Sequence, residues 1–418
     1  METNNCYYDL TLVKEFNDLI KDHKSNSEQN ILKLNKVECR TENSQKYKVI
    51  RYDKNVLSYD LINTYGIFRS VVLNSANKVV SFAPPKSIPS DQFIQKYTED
   101  CGNVEAQEFV EGTMINVFWD TTIGLTGGWE ITTRNTVGAT SSFYKYPGCK
   151  TFRTMFLETA KSNNLDLDRL DKVNCYSFVL QHPENRIVVP FVKPQLYLVA
   201  VYQIHNNDDK ITVHTYNVEE YEYYFNVILS STVMFPHIYK LTTYKELIEK
   251  YASMNTDYNI LGVVLYNRLT HERAKVRNPV YELVRNLRGN QPKLQYQYLS
   301  LRLEGKVKDY LKFYPENKKE FSSFRDQVHL FTETLYSNYV SCYIKKEKPL
   351  AEFSDQYRTH MFNIHQQYMN ELREKKMHVT NTFVIKYVNK LHPSLLMYCL
   401  NYQMRKRNVD YIKAESEL

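Results

Sequence analysis

The spacing of apolar residues changes twice along this chain, and each change predicts a different kind of structure. Between Leu10 and Ile20 apolar positions recur at helical intervals, and a polar loop is expected from Asp22 to about Asn30. From about Tyr65 to Lys275 the texture becomes strand-like. The runs Arg69–Asn74, Met114–Trp119, Trp129–Arg134, Tyr176–Leu180, Leu196–Ile204 and Leu261–Tyr266 are rich in β-branched and aromatic residues and bounded by Asn, Asp, Gly and Pro. Helical spacing interrupts them at Thr151–Asn163 and Tyr244–Met254. After about Tyr281 it takes over to the end, most clearly in Phe321–Ile344 and Phe353–Lys375. The expected fold class is therefore α+β: antiparallel sheets first, then an all-helical C-terminal domain. The expected division is an N-terminal helix and polar extension over 1–60, a sheet-rich domain over 61–285 and a helical domain over 286–418. No internal repeat or low-complexity tract is evident.

Composition narrows the class only a little. With 43% hydrophobic and 24% charged residues the chain reads as an ordinary globular protein, long enough for two or three domains. The net charge of +7 permits a nucleic-acid or phosphate partner without requiring one. Seven cysteines lie far apart with no Cys-x-x-Cys pair, which argues against a zinc knuckle or a dense disulfide framework. No run of about 18 apolar residues occurs, and the polar N-terminus lacks the apolar core of a signal peptide. An intracellular, soluble protein with no membrane partner is expected.

Four segments carry candidate chemistry. In Arg273-Ala-Lys275-Val-Arg277 three cations alternate, so all project from one face of a strand and repel one another unless an anion covers them. A polyphosphate or nucleic-acid backbone fits that need, and a solvated edge strand is the plain alternative. Ala83-Pro-Pro-Lys86 is a stiff loop that presents one lysine after a strand ending at Ser81-Phe82, suited to phosphate or simply a surface turn. Thr132-Thr133-Arg134-Asn135-Thr136-Val-Gly138 ends a strand in a polar turn carrying an arginine. Gln181-His182-Pro183-Glu184-Asn185-Arg186-Ile187-Val188-Val189 is a polar loop between apolar strands. His182, beside proline, reads as a local hydrogen-bond partner before it reads as a general base. Trp119 and Trp129 are expected in the core or a cleft wall.

Taken in order over roughly Phe68 to Tyr281, these segments resemble the nucleotidyl-transfer domain of the T-even phage RNA ligase family, especially its divergent relatives in large DNA viruses of eukaryotes. Arg69 opens a strand as the Arg-Gly strand of the ligases does, and Lys86 stands for the basic residue of the next turn. Phe109-Val110-Glu111-Gly112-Thr113 takes the place of the Lys-x-Asp-Gly motif, and Arg134 that of a lysine-rich strand end. Ser177-Phe178-Val179 with Asn185-Arg186-Ile187-Val188 parallels the Glu-Phe-Val…Asn-Arg-Ile-Val segment. Ile260-Leu261-Gly262-Val263-Val264 parallels Glu-Gly-Tyr-Val, and Lys275-Val276-Arg277 parallels Lys-x-Lys. The helical tail corresponds to the helical C-terminal domain of that family.

The resemblance implies ATP and magnesium as ligands of a working member, and RNA or another nucleic acid as partner. Its departures all concern chemistry. The nucleophilic lysine is Phe109, and the two glutamates that help hold ribose and metal are Ser177 and Leu261. The cations Arg69, Lys86, Arg134, Lys275 and Arg277 remain, with Glu111 and Gly112 of the motif turn. Glu111 is expected either to accept from a ribose hydroxyl or to pair with a nearby cation. No metal ligands are expected. Three readings stay open: a catalytically degenerate protein that binds nucleotide or nucleic-acid ends through a basic cleft; an active ligase using another lysine, Lys86 or Lys275; and a structural or virion scaffold whose tail tyrosines Tyr336, Tyr339, Tyr343, Tyr357 and Tyr368 form an interface. If the source is viral, the location is host cytoplasm or virion.

Overall fold

The computed structural model describes residues 7–21, 32–99, 102–144, 148–207 and 209–406, so the expected loop from Asp22 to about Asn30 lies outside the described residues. The chain divides into two compact units, Met1–Leu283 and Val284–Leu418. The first holds three antiparallel sheets. The largest has six strands in the order β1 (Tyr7–Asp9), β11 (Ile211–Tyr216), β10 (Gln195–Asn206), β9 (Asn174–Gln181), β7 (Thr113–Asp120) and β8 (Gly128–Thr132). A second sheet runs β2 (Leu34–Arg40), β3 (Lys46–Tyr52), β4 (Val71–Leu73), β5 (Val79–Phe82). The third runs β12 (Ile238–Tyr239), β6 (Val104–Glu108), β13 (Gly262–Asn267), β14 (Arg273–Arg277).

Side-chain alternation on β9 explains how the sheets stack. Tyr176, Phe178 and Leu180 point to one face and pack with Phe225 and with Phe156 of α3 (Phe152–Ser162), a helix capped by the Thr151 hydroxyl. Burying each of these rings contributes roughly 2–3 kcal/mol. Cys175 and Val179 face the other way and meet different neighbours. Cys175 packs with Tyr47, Val49, Val72 and Phe118, so the second sheet covers that end. Val179 packs with Val110 and Tyr197 and lines a cavity shared with Gln107 and Val264 of the third sheet.

The third sheet is itself covered on its far face. Ala106, Val263, Leu265 and Ala274 pack against Phe93 of α2 (Ser90–Lys96) and against Tyr244 and Leu247 of α4 (Tyr244–Tyr251). Its near face is left for the cavity. The first helix, α1 (Lys14–Ile20), follows a 3₁₀ turn capped by Asp9 and buries Phe16 against Phe68.

The second unit is helical. It contains the end of α5 (Pro279–Arg288), then α6 (Leu294–Leu303), α7 (Val307–Phe313), α8 (Lys318–Tyr339), α9 (Asp355–Gln367), α10 (Asn381–Asn389) and α11 (Pro393–Leu400). The tail tyrosines expected at an interface are in part packing residues. Tyr339 is buried, Tyr357 stacks on Phe331 at 5.3 Å, and Tyr343 stacks on His365 at 3.9 Å. Among the described residues no helix is long and apolar enough to cross a membrane.

The structure thus has the expected α+β class, sheets before helices. It differs before residue 60, where one helix and a polar extension were expected. There β2 pairs with β3, and β3 with β4, to complete the second sheet. On β2 only Leu34 is buried, so this edge strand offers almost no apolar alternation to read.

Candidate anion-binding cleft

The cleft lies between the near faces of the first and third sheets and encloses a cavity of about 260 Å³. Met114, Val179 and Val199 of the first sheet form an apolar floor, and Val264 faces them from β13. The antiparallel register of β13 and β14 sets Tyr266 beside Arg273, Val264 beside Lys275 and Gly262 beside Arg277. Cross-strand partners share a face, so the three cations of β14 share the near face, Arg273 and Lys275 lining the cavity, while Ala274 enters the core.

Further cations gather beside it from three other segments, of which Arg69 lines the cavity. Arg69 precedes β4. Lys86 follows β5 in the stiff proline loop, whose backbone is fixed by the Lys86 amide donating to Gly66 O at 2.9 Å and by Arg273 Nη2 donating to Pro85 O at 2.7 Å. Arg134 follows β8, lies over the Tyr52 ring and donates from Nε to the Arg69 carbonyl at 3.4 Å.

Their mutual electrostatics is unfavourable without an anion. Burial, then the charges of Arg273, Arg69, Arg277 and Lys86, drive the Lys275 ammonium down to about 6. Arg69 is pulled down to about 10, first by burial and then by Arg273. Lys86 is lowered by burial and by Arg69, Arg134, Arg277 and Lys54. Arg277 has partial relief, since Nη1 lies 2.6 Å from Glu282 Oε1.

Phe109 sits within this cluster. Lys275 Nζ lies 4.6 Å from its ring centroid and the Arg277 guanidinium carbon 5.2 Å, so the Phe109 ring serves as a π-face for two cations of β14.

The adjoining turn is bound to a segment some seventy residues away. Glu111 is buried and accepts from the amides of Val188 at 2.8 Å and Val189 at 3.1 Å. Burial raises its carboxyl pKa, and the hydrogen bonds from Val188, Val189 and Tyr281 pull it back. Asn185 Nδ2 donates to Thr113 Oγ1 at 2.8 Å, and Gln181 Nε2 to the Glu111 carbonyl at 2.9 Å. Gly112 is required here: at φ +150° a Cβ would stand 2.5 Å from Leu180 O.

Of the residues singled out in the sequence, Arg69, Lys86, Arg134, Lys275 and Arg277 therefore converge, with Arg273 among them. Glu111 and Gly112 hold the turn beside them. His182 is a local partner: its Nδ1 accepts from the Glu184 amide at 3.2 Å. Trp119 and Trp129 pack edge to face at 5.5 Å, with Lys172 Nζ over Trp119. Sequence reasoning missed the wall made by Glu105, Gln107 and Glu108 of β6 and the floor residue Val199. The only signal for β6 was polar alternation about Ala106.

A divalent metal does not fit the residues present. Among the described residues no three His, Cys, Asp or Glu side chains are grouped to hold one. Ser177 is fully buried and donates to Asn116 Oδ1 at 2.7 Å, Leu261 has no ligand atom, and Glu111 gives its oxygens to backbone amides. The triphosphate of ATP does fit the cationic wall on charge.

No family model matches the chain. In sequence it is similar to an RNA ligase of Rhodothermus phage RM378, 22% identical over 290 residues that cover 62% of this chain and 64% of the ligase. The chain thus spans somewhat under two thirds of that relative's length. Among solved structures it is similar to a lysine-to-alanine variant of the Naegleria gruberi RNA ligase with ATP and Mn (9% identity, 50% of this chain and 57% of that one, TM-score 0.33). A glutamate-to-alanine variant of the same ligase with AMP and Mn gives 10% identity, 48% and 57% coverage, and TM-score 0.35.

Proposed function

We propose that this chain is an RNA ligase-like protein that binds the phosphates of a nucleotide or RNA end in its cationic cleft, and that the covalent step begun by the motif lysine of the ligases has been lost at position 109. One observation carries the reading: Arg69, Lys86, Arg134, Arg273, Lys275 and Arg277 come from four separate segments to one wall, at a cost to the ionisation of Lys275 that a bound anion removes. A solvated edge strand would not draw cations from the other sheets. The sequence similarity to a phage RNA ligase supports RNA as the class of partner.

The departures at Phe109, Ser177 and Leu261 support the degenerate nucleophile and metal positions, and with them a place among the divergent ligase relatives of large DNA viruses. The ligase-like body is taken to cover 61–285, extended by β2 and β3, with 286–418 as its helical companion. Glu111 is read as a strut for the 188–189 backbone in place of a ribose ligand.

The test is fluorescence anisotropy with a short RNA carrying a 5′-phosphate, compared with the same RNA carrying a 5′-hydroxyl. Tighter binding of the phosphorylated end, lost in a Lys275→Ala/Arg277→Ala double variant that remains folded, supports the reading. Equal binding of both ends, unaffected by the variant, overturns it.

A further inference from the structure

A second cavity adjoins the cleft, and the two share a partition. It measures about 300 Å³ and is walled by Ile62, Ile67 and Ile88 beside the exposed Asn63. Tyr8, Pro85, His271 and Arg273 line both cavities. Lys96 Nζ lies 2.7 Å from Glu272 Oε2, so the acid of the second cavity is neutralised and Lys86 and Arg273 set its sign.

Arg273 stands in the partition with a donor unused. Its Nη2 donates to Pro85 O at 2.7 Å, which fixes the guanidinium, while its buried Nε has no hydrogen-bond partner among the described residues. A buried donor is costly until a ligand supplies its acceptor. The spacing of the cations on β14 also bears on the ligand. Arg273, Lys275 and Arg277 recur every second residue on one face, about 7 Å apart along the strand. Successive phosphates of an extended nucleic-acid strand follow one another on that scale, whereas the phosphates of one triphosphate lie much closer together. Cavities of about 260 and 300 Å³ sit at the small end of the roughly 300–1,000 Å³ of small-molecule sites, which suits one nucleotide in each.

We infer, resting on the phosphate reading of the cleft, that its ligand is a single-stranded RNA end of at least two nucleotides threaded past Arg273. The 5′-phosphate rests on Lys275, and the first nucleoside fills the cleft. Arg273 holds the phosphate that joins it to the second nucleoside, whose base enters the cavity walled by the three isoleucines.

The experiment is calorimetry on the full chain with three probes: a nucleoside 5′-monophosphate, the 5′-phosphorylated dinucleotide, and that dinucleotide with an uncharged methylphosphonate in place of its bridging phosphate. The natural dinucleotide is expected to bind roughly tenfold tighter than the monophosphate, the effect of one added charge-assisted contact. The methylphosphonate should lose most of that gain. Asn63→Trp, whose indole would fill the second cavity, should bring the two natural ligands to similar affinity, and its melting temperature shows whether it folds. Equal binding of monophosphate and dinucleotide, or a gain that survives the methylphosphonate or a folded Asn63→Trp, overturns the second subsite and leaves the phosphate reading intact. Absence of binding by all three probes overturns the two together. The methylphosphonate comparison uses the unaltered chain, so it decides the matter even where Asn63→Trp does not fold.

Discussion

Lys275 and Phe109 form a single unit in which the lysine Nζ, crowded by other cations, rests 4.6 Å from the centre of an aromatic ring. The ring supplies a negative π-face to a neighbourhood with too much positive charge. A cation–π contact contributes about 0.5–2 kcal/mol depending on desolvation. Replacing Phe109 by leucine keeps the apolar bulk and deletes the π-face. Affinity for a 5′-phosphorylated RNA is expected to fall roughly two- to tenfold, with little change in melting temperature. Unchanged affinity by anisotropy would mean that the ring is only a filler.

The pH dependence of stability follows from the same pair. Lys275 titrates near 6 in the folded chain against an ordinary value of 10.5. Between those values the unfolded chain binds one proton more than the folded chain at this residue, so stability rises with pH across that window. The groups facing the amine are Arg273, Arg69, Arg277 and Lys86, all of them cationic side chains. The melting temperature without ligand is expected to rise from pH 6 to pH 9, and Lys275→Met should flatten that rise and stabilise the chain near pH 6. A wild-type profile that matches Lys275→Met would contradict the shifted lysine.

Glu111 offers a clear separation of support from ligand binding. Removing its carboxylate in Glu111→Ala leaves the amides of Val188 and Val189 without their acceptors, at a cost of about 2–4 kcal/mol. Urea denaturation should show that loss, with Glu111→Gln intermediate because one acceptor oxygen remains. If Glu111→Ala kept full stability and lost only nucleotide affinity, the carboxylate would be a ribose ligand after all.

Gly262 tests whether strand pairing positions the cations. At φ +134° a Cβ at this site would stand 2.1 Å from the Val276 carbonyl, within the ladder that carries Lys275 and Arg277. Gly262→Ala is expected to cost at least about 2 kcal/mol and to weaken phosphate binding in parallel. Weakened stability with intact affinity would detach the cations from the geometry of β14.

Much of this arrangement is legible in the sequence. Long apolar runs such as Met114–Trp119 and Leu196–Ile204 became β7 and β10 because strands buried on both faces need little else to specify them. The cation alternation at Arg273–Arg277 was readable for the same periodic reason. The strands β2 and β6 were not readable, since an edge strand and a cavity wall both keep polar side chains and bury few apolar ones. Nor does local sequence reveal the role of Glu111. Its partners are backbone amides at 188 and 189, and their approach depends on how two distant loops close.

Calorimetric titration of the full chain with inorganic pyrophosphate at pH 7.5, repeated in buffers of different ionisation enthalpy, decides whether phosphate seats on Lys275. An anion seated on the cluster must draw Lys275 back to its protonated form, so binding should take up close to one proton. That uptake should disappear in Lys275→Met while weaker binding persists through the arginines. Binding without proton uptake, or uptake unchanged in Lys275→Met, would contradict a phosphate site centred on Lys275.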